Sequence, residues 1–107
     1  MKLITEEIKA KLASNKGDAN VDKPYLKLFN PTGGGTWLIT EIVDEDTLFG
    51  LCDLGMGFPE LGYVSLQELE SVKLPFGLKI ERDMYFTPDK TLSEYTELAR
   101  QHQEIVT

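Results

Sequence analysis

The sequence predicts an α+β fold, a mainly antiparallel sheet of four or five short strands with a helix at each end of the chain. Three observations predict it. Apolar residues recur at helical spacing near both termini, at Ile4, Ile8 and Leu12 and again at Leu92, Tyr95 and Ala99. Between them, "YLKLF", "TWLITEIV" and "TLFGLCDL" are short runs rich in β-branched and aromatic residues, divided by turn formers. At 107 residues the chain is expected to be one domain, 1–107, with a single core.

Each element has a local reason. Thr5 is the expected N-cap of a first helix that runs to about Ser14. Glu6 and Glu7 fall in its first turn and Lys9 and Lys11 later, the order that suits the helix dipole, and Glu7 and Lys11 form an i,i+4 pair. "NKGDANVDKP" reads as a loop in which Gly17 suits a C-terminal cap. In "TWLITEIV", Trp37, Ile39 and Val43 share a face with Glu41, and Leu38 and Ile42 share the other. That pattern fits a central strand covered on both sides.

After "TLFGLCDL" comes an irregular glycine-rich stretch, "GMGFPELGYVS". "SLQE" at 65–68 is a capping box for a short helix through Glu70. "LKIERDMYF", 78–86, reads as a last strand with Ile80, Met84 and Phe86 on one face. A second capping box, "TLSE" at 91–94, opens a final helix whose stripe is Leu92, Tyr95, Ala99, His102 and Val106. No internal repeat or low-complexity tract is present.

The net charge is −7, and its placement is uneven. Residues 1–27 hold four acids and six bases, residues 73–107 six acids and five bases. Residues 28–72 hold eight acids and neither lysine nor arginine. Such a block repels phosphate, so direct nucleic-acid binding is not expected and a basic protein partner is the natural complement. "MKLITEEIKAKL" carries two glutamates in its short apolar stretch, unlike a signal peptide, and no apolar run approaches the length of a membrane helix. The lone Cys52 excludes an internal disulfide, and a cytoplasmic protein is expected.

The candidate chemistry is sparse. Gly33, Gly34 and Gly35 resemble a phosphate loop only in glycine content, because a strand rather than a helix follows and no lysine lies between Lys27 and Lys73. A hairpin turn needing positive φ is the better reading. "VDEDT" fails the calcium-loop pattern at Leu48. Cys52 reads as a small buried hydrophobe, with His102, the one histidine, on a helix stripe. Glu81 and Asp83 read as acids on the wet face of a strand. No catalytic residue, metal or cofactor is expected.

The loop with Met56, Phe58, Pro59, Leu61 and Tyr63 is more informative. It either folds onto the core or presents an interaction surface with an aromatic anchor and an acidic rim. The expected partner-binding residues are Asp44, Glu45, Asp46, Asp53, Phe58 and Glu60.

The strings "KLFNPTGGGTWLITE", "DTLFGLCDLGMGFPELGYVSLQELE" and "PFGLKIERDMYFTPDKTLSEY" resemble a family of short bacterial proteins of unknown function, over about residues 25–95. Its members are carried on plasmids, conjugative elements and phage-derived islands, and no site residues are established for it. The resemblance implies a setting in which small acidic proteins counter host defence. The expectation is a non-enzymatic protein that binds and inhibits a nucleic-acid-targeting system of anti-CRISPR or antirestriction type, including a host defence nuclease. The alternatives are a plasmid replication or conjugation scaffold and a small hydrolase using Cys52 or the carboxylates.

Overall fold

The structure, a computed structural model, describes residues 2–107. Its elements are α1 (Glu6–Ala13), β1 (Leu26–Phe29), β2 (Thr36–Ile42), β3 (Thr47–Asp53), β4 (Glu60–Ser65), α2 (Leu66–Ser71), β5 (Glu81–Arg82) and α3 (Leu92–His102), with a 3₁₀ turn at Pro75–Gly77. The five strands form one sheet in the order β4-β3-β2-β1-β5, antiparallel at every step. The α+β expectation therefore stands, with helices at both ends of the chain.

β2 lies at the centre and is buried on both faces, as its sequence predicts. Trp37 and Ile39 join one apolar cluster with Leu12 of α1, Leu26, Leu28, Leu48 and Leu69 of α2. Leu38 joins a second with Leu51 and the α3 residues Leu92, Tyr95 and Ala99. Ile42 departs from the expected face. The β2–β3 register shifts between Ile39 and Glu41, so Thr40 is a bulge residue. The extra residue reverses the alternation, and Ile42 packs with the Trp37 cluster rather than with Leu38.

The bulge is held from both sides. The Thr40 carbonyl accepts from Asn15 Nδ2 at 2.9 Å, and the same amide donates to the Lys23 carbonyl at 2.8 Å. Opposite, a Cβ on Gly50 would lie 1.9 Å from the Leu38 oxygen and 2.8 Å from the Ile39 Cα. Only glycine fits there.

The loop after α1 folds around a buried carboxylate. Asp22 accepts the backbone N–H groups of Lys16, Gly17 and Asp18 at 2.8, 2.8 and 3.0 Å. Gly17, with φ +78°, belongs to this turn, whereas α1 itself ends at Ser14 in a right-handed conformation. The carbonyls of Asp22 and Ala19 accept from Leu92 and Ser93 at 2.9 Å each, fastening the start of α3.

Three other expectations need correction. β5 spans two residues, because Asp83 turns the chain: its carboxylate accepts the Tyr85 N–H at 2.9 Å and meets Lys27 Nζ at 3.5 Å. Met84 is left exposed and Phe86 reaches the second cluster. In α3 the capping box of Thr91 and Glu94 forms as expected, but Thr96 completes the buried face. His102 is exposed, Gln103 closes the helix at φ 60°, and Val106 lies beyond it. For α2 only the Ser65 half of the expected box forms, and the first turn is capped in addition by Asp46. Its carboxylate accepts from Ser65 Oγ at 2.5 Å and Gln67 N–H at 2.7 Å, while Ser65 Oγ accepts from Glu68 N–H.

The Gly50 contact predicts a large asymmetry between two strand glycines. Gly50→Ala is expected to cost roughly 3 kcal/mol or more through backbone collision. Gly62→Ala, where a Cβ meets nothing within 4 Å, should change stability by less than about 0.5 kcal/mol. Urea unfolding of the two variants measures the difference, and equal midpoints would contradict the packing described.

Candidate functional site

The triple glycine is a hairpin tip. Gly35 has φ +134°, and its carbonyl accepts the Asn30 N–H at 3.0 Å. Gly34 touches the next hairpin: a Cβ there would lie 2.9 Å from the Gly55 Cα, and Gly55 itself has φ +79°. The glycines at both tips permit this close backbone approach.

The expected partner-binding residues separate into two groups. Asp44, Glu45 and Asp46 form the β2–β3 turn, and Asp53, Phe58 and Glu60 lie at the opposite end of β3, roughly 20 Å away along the strand. Within the turn, Asp44 Oδ1 accepts the N–H groups of Asp46 and Thr47 at 2.9 and 2.8 Å. These bonds, that from Asp46 foremost, hold its carboxyl below the usual carboxylate range. Asp46 is committed to α2. Glu45 is exposed at the tip and has no side-chain hydrogen bond among the described residues.

Asp53 is not part of an exposed rim. It is 5% exposed, and its two oxygens accept the N–H groups of Gly55 at 2.8 Å and Ile105 at 2.9 Å. It ties the β3–β4 loop to the segment after α3. Phe58 and Glu60 are exposed, as an interaction surface requires. Phe58 is 78% exposed, Met56 70% and Leu54 59%, so the loop does not fold onto the core. Pro59 is its buried anchor. Tyr63 continues the apolar set on β4, 68% exposed, with its ring 5.0 Å from that of Phe49.

The possible reaction groups are scattered. Cys52 packs against the first cluster, and burial pushes its thiol up to about 11. It is a neutral thiol at physiological pH, unlike an activated nucleophile. His102 is exposed at the end of α3, and Asp83 is engaged with Lys27. Among the described residues no group of three or more His, Cys, Asp or Glu side chains is placed to hold a metal ion. No helix of the described residues is long and apolar enough to cross a membrane.

Sequence reasoning missed Asp22, Asn15 and the edge position of β4. The run of Asn, Gly and Asp in "NKGDANVD" was a signal for the first two, since such side chains capture nearby backbone groups. Sequence reasoning also missed the buried Trp37 Nε1, which has no hydrogen-bond partner among the described residues.

Two measurements check this placement. Asp53→Asn removes one charged acceptor from a two-sided clamp and is expected to cost about 1.5–3 kcal/mol. The amide of Ile105 should lose hydrogen-exchange protection, and an unchanged amide would contradict the clamp. Alkylation of Cys52 should rise with pH toward a midpoint near 11. Because the unfolded thiol ionises near 9.0 and the folded one later, the folded state loses stability between those values as pH rises. An alkylation midpoint at 9.0 would contradict the burial described, and one well below it would show an activated thiol.

No curated protein and no solved structure matches the chain. The model of a family described as protein of unknown function (DUF2958) matches residues 3–106, which extends the expected likeness to include α1 and α3. With all but the extreme ends of its sequence matched, the chain belongs to that family.

Proposed function

We propose that this protein is a cytoplasmic accessory of mobile DNA that binds a basic protein partner, a host defence nuclease of CRISPR or restriction type, and inhibits it. One observation carries the reading. The cation-free stretch 28–72 supplies β2, β3, β4 and α2, and on it the exposed acids Glu45, Glu60 and Glu68 accompany exposed Leu54, Met56, Phe58 and Tyr63. Nucleases hold nucleic acid in basic channels, and an acidic surface with apolar anchors suits such a channel better than it suits nucleic acid.

A scaffold role in plasmid replication or conjugation is the second reading. It is favoured by separate exposed apolar residues near β5, Phe76 at 97% with φ 62° and Tyr85 at 92%, which give the molecule a second surface for a second partner.

Capture from a bacterial lysate with the whole protein, followed by mass spectrometry, identifies the partner, and binding kinetics test the mode. Since Asp44 and Asp46 are bonded within the fold, the informative charge variant is Glu45→Gln with Glu60→Gln and Glu68→Gln. It should slow association at low salt and converge with the wild type at high salt, where screening is shorter than about 8 Å. Phe58→Ala should instead raise the dissociation rate with little salt dependence. Association unaffected by the three neutralised acids at either salt would overturn the inhibitory reading in favour of the scaffold.

A further inference from the structure

The sheet order leaves β4 as an edge strand, and its pairing with β3 is continuous from Cys52↔Glu60 to Thr47↔Ser65. Long edges are ordinarily protected by lysine, a bulge, internal proline or a covering element. β4, Glu-Leu-Gly-Tyr-Val-Ser, has no lysine, no internal proline and no register shift. The other edge, β5, is two residues long.

We propose that β4 accepts an extended segment of the partner as a sixth strand, and that this segment alternates lysine or arginine with apolar residues. The inference rests on the reading that the partner is basic. Alternation follows from the two faces of β4. Glu60 pairs with Cys52 and shares the face of the first cluster, where a cleft at the edge sets the carboxylate of Glu68 beside apolar Trp37, Val64, Leu69 and Val72. Leu61 and Tyr63 pair with Leu51 and Phe49 and share the opposite face. α3 lies over Leu38 and Leu51 on that face and leaves Leu61 and Tyr63 exposed. An added strand therefore meets the carboxylates of Glu60 and Glu68 set in apolar surface on one side, which suits the apolar stem and charged head of lysine or arginine. On the other side it meets apolar surface alone, so side chains at period two answer both. Main-chain hydrogen bonds to β4 supply the rest. A second copy is the poorer occupant, because each chain carries −7 and the pairing would bring two cation-free regions together.

The test uses the whole protein and a capped synthetic peptide, Lys-Val-Lys-Val-Lys-Val-Lys, with two analogues N-methylated either at every valine or at every lysine. Since alternate N–H groups of a strand face its neighbour, one analogue should bind about tenfold or more weaker and the other about as well as the parent. The parent should shift the amide resonances of Glu60–Ser65, and a Glu-for-Lys peptide should bind at least about tenfold weaker. Equal binding by both analogues would overturn strand addition while leaving the acidic-surface reading intact. Equal binding by the Glu-for-Lys peptide would overturn the basic occupant and the reading beneath it. No binding by any peptide overturns strand addition alone, since the lysate capture and salt kinetics test the partner separately. A dimer of the free protein that Leu61→Lys dissociates would assign the edge to a second copy and overturn the proposal.

Discussion

Between the bulged backbone of β2 and the backbone of β3 there is room for a hydrogen at Gly50 and nothing larger. That contact, with Asn15 holding the Thr40 carbonyl from the other side, lets one strand change its alternation midway without losing its ladder. Trp37, Ile39 and Ile42 consequently all serve the cluster beneath α1 and α2, while Leu38 alone of these serves α3. Two helical layers are thereby fixed on a sheet too small to bury much by itself.

What the helices leave uncovered follows from the same arrangement. α3 is fastened at its start to the Asp22 loop and at its end, through Ile105, to Asp53. Held at both points, it lies over the middle of the sheet, and β4 remains outside it. Residues 28–72 supply that uncovered side and contain no cation. Open backbone, exposed apolar side chains and unbalanced acids therefore occur together. The neighbouring hairpin tips, joined at Gly34 and Gly55, hold the aromatic loop without burying it.

Much of the fold was legible because local chemistry determined it. Thr5, the Thr91–Glu94 box and the strand runs each act over a few residues. The errors arose where a distant group intervened. Ile42 changed face because Thr40 bulges toward Asn15, and the last strand ended early because Asp83 meets Lys27 from β1. The site was less legible for the same reason. Asp44, Asp46 and Asp53 looked like surface acids, yet each carboxylate accepts backbone N–H, and only tertiary structure reveals Gln67 as the donor to Asp46 and Ile105 as the second donor to Asp53. Glu45, Phe58 and Glu60 kept their expected exposure, because no such partner claims them.

β4 is an ordered edge to which no further strand pairs among the described residues. Native-state hydrogen exchange of the free protein, resolved by amide, measures this directly. Leu38, Ile39 and Leu51 should exchange only through global unfolding. Alternate amides of Glu60–Ser65 should exchange at least about a hundredfold faster while their neighbours, bonded to β3, stay protected. Uniform protection along β4, equal to that of β2, would mean that the edge is already occupied and would contradict the account.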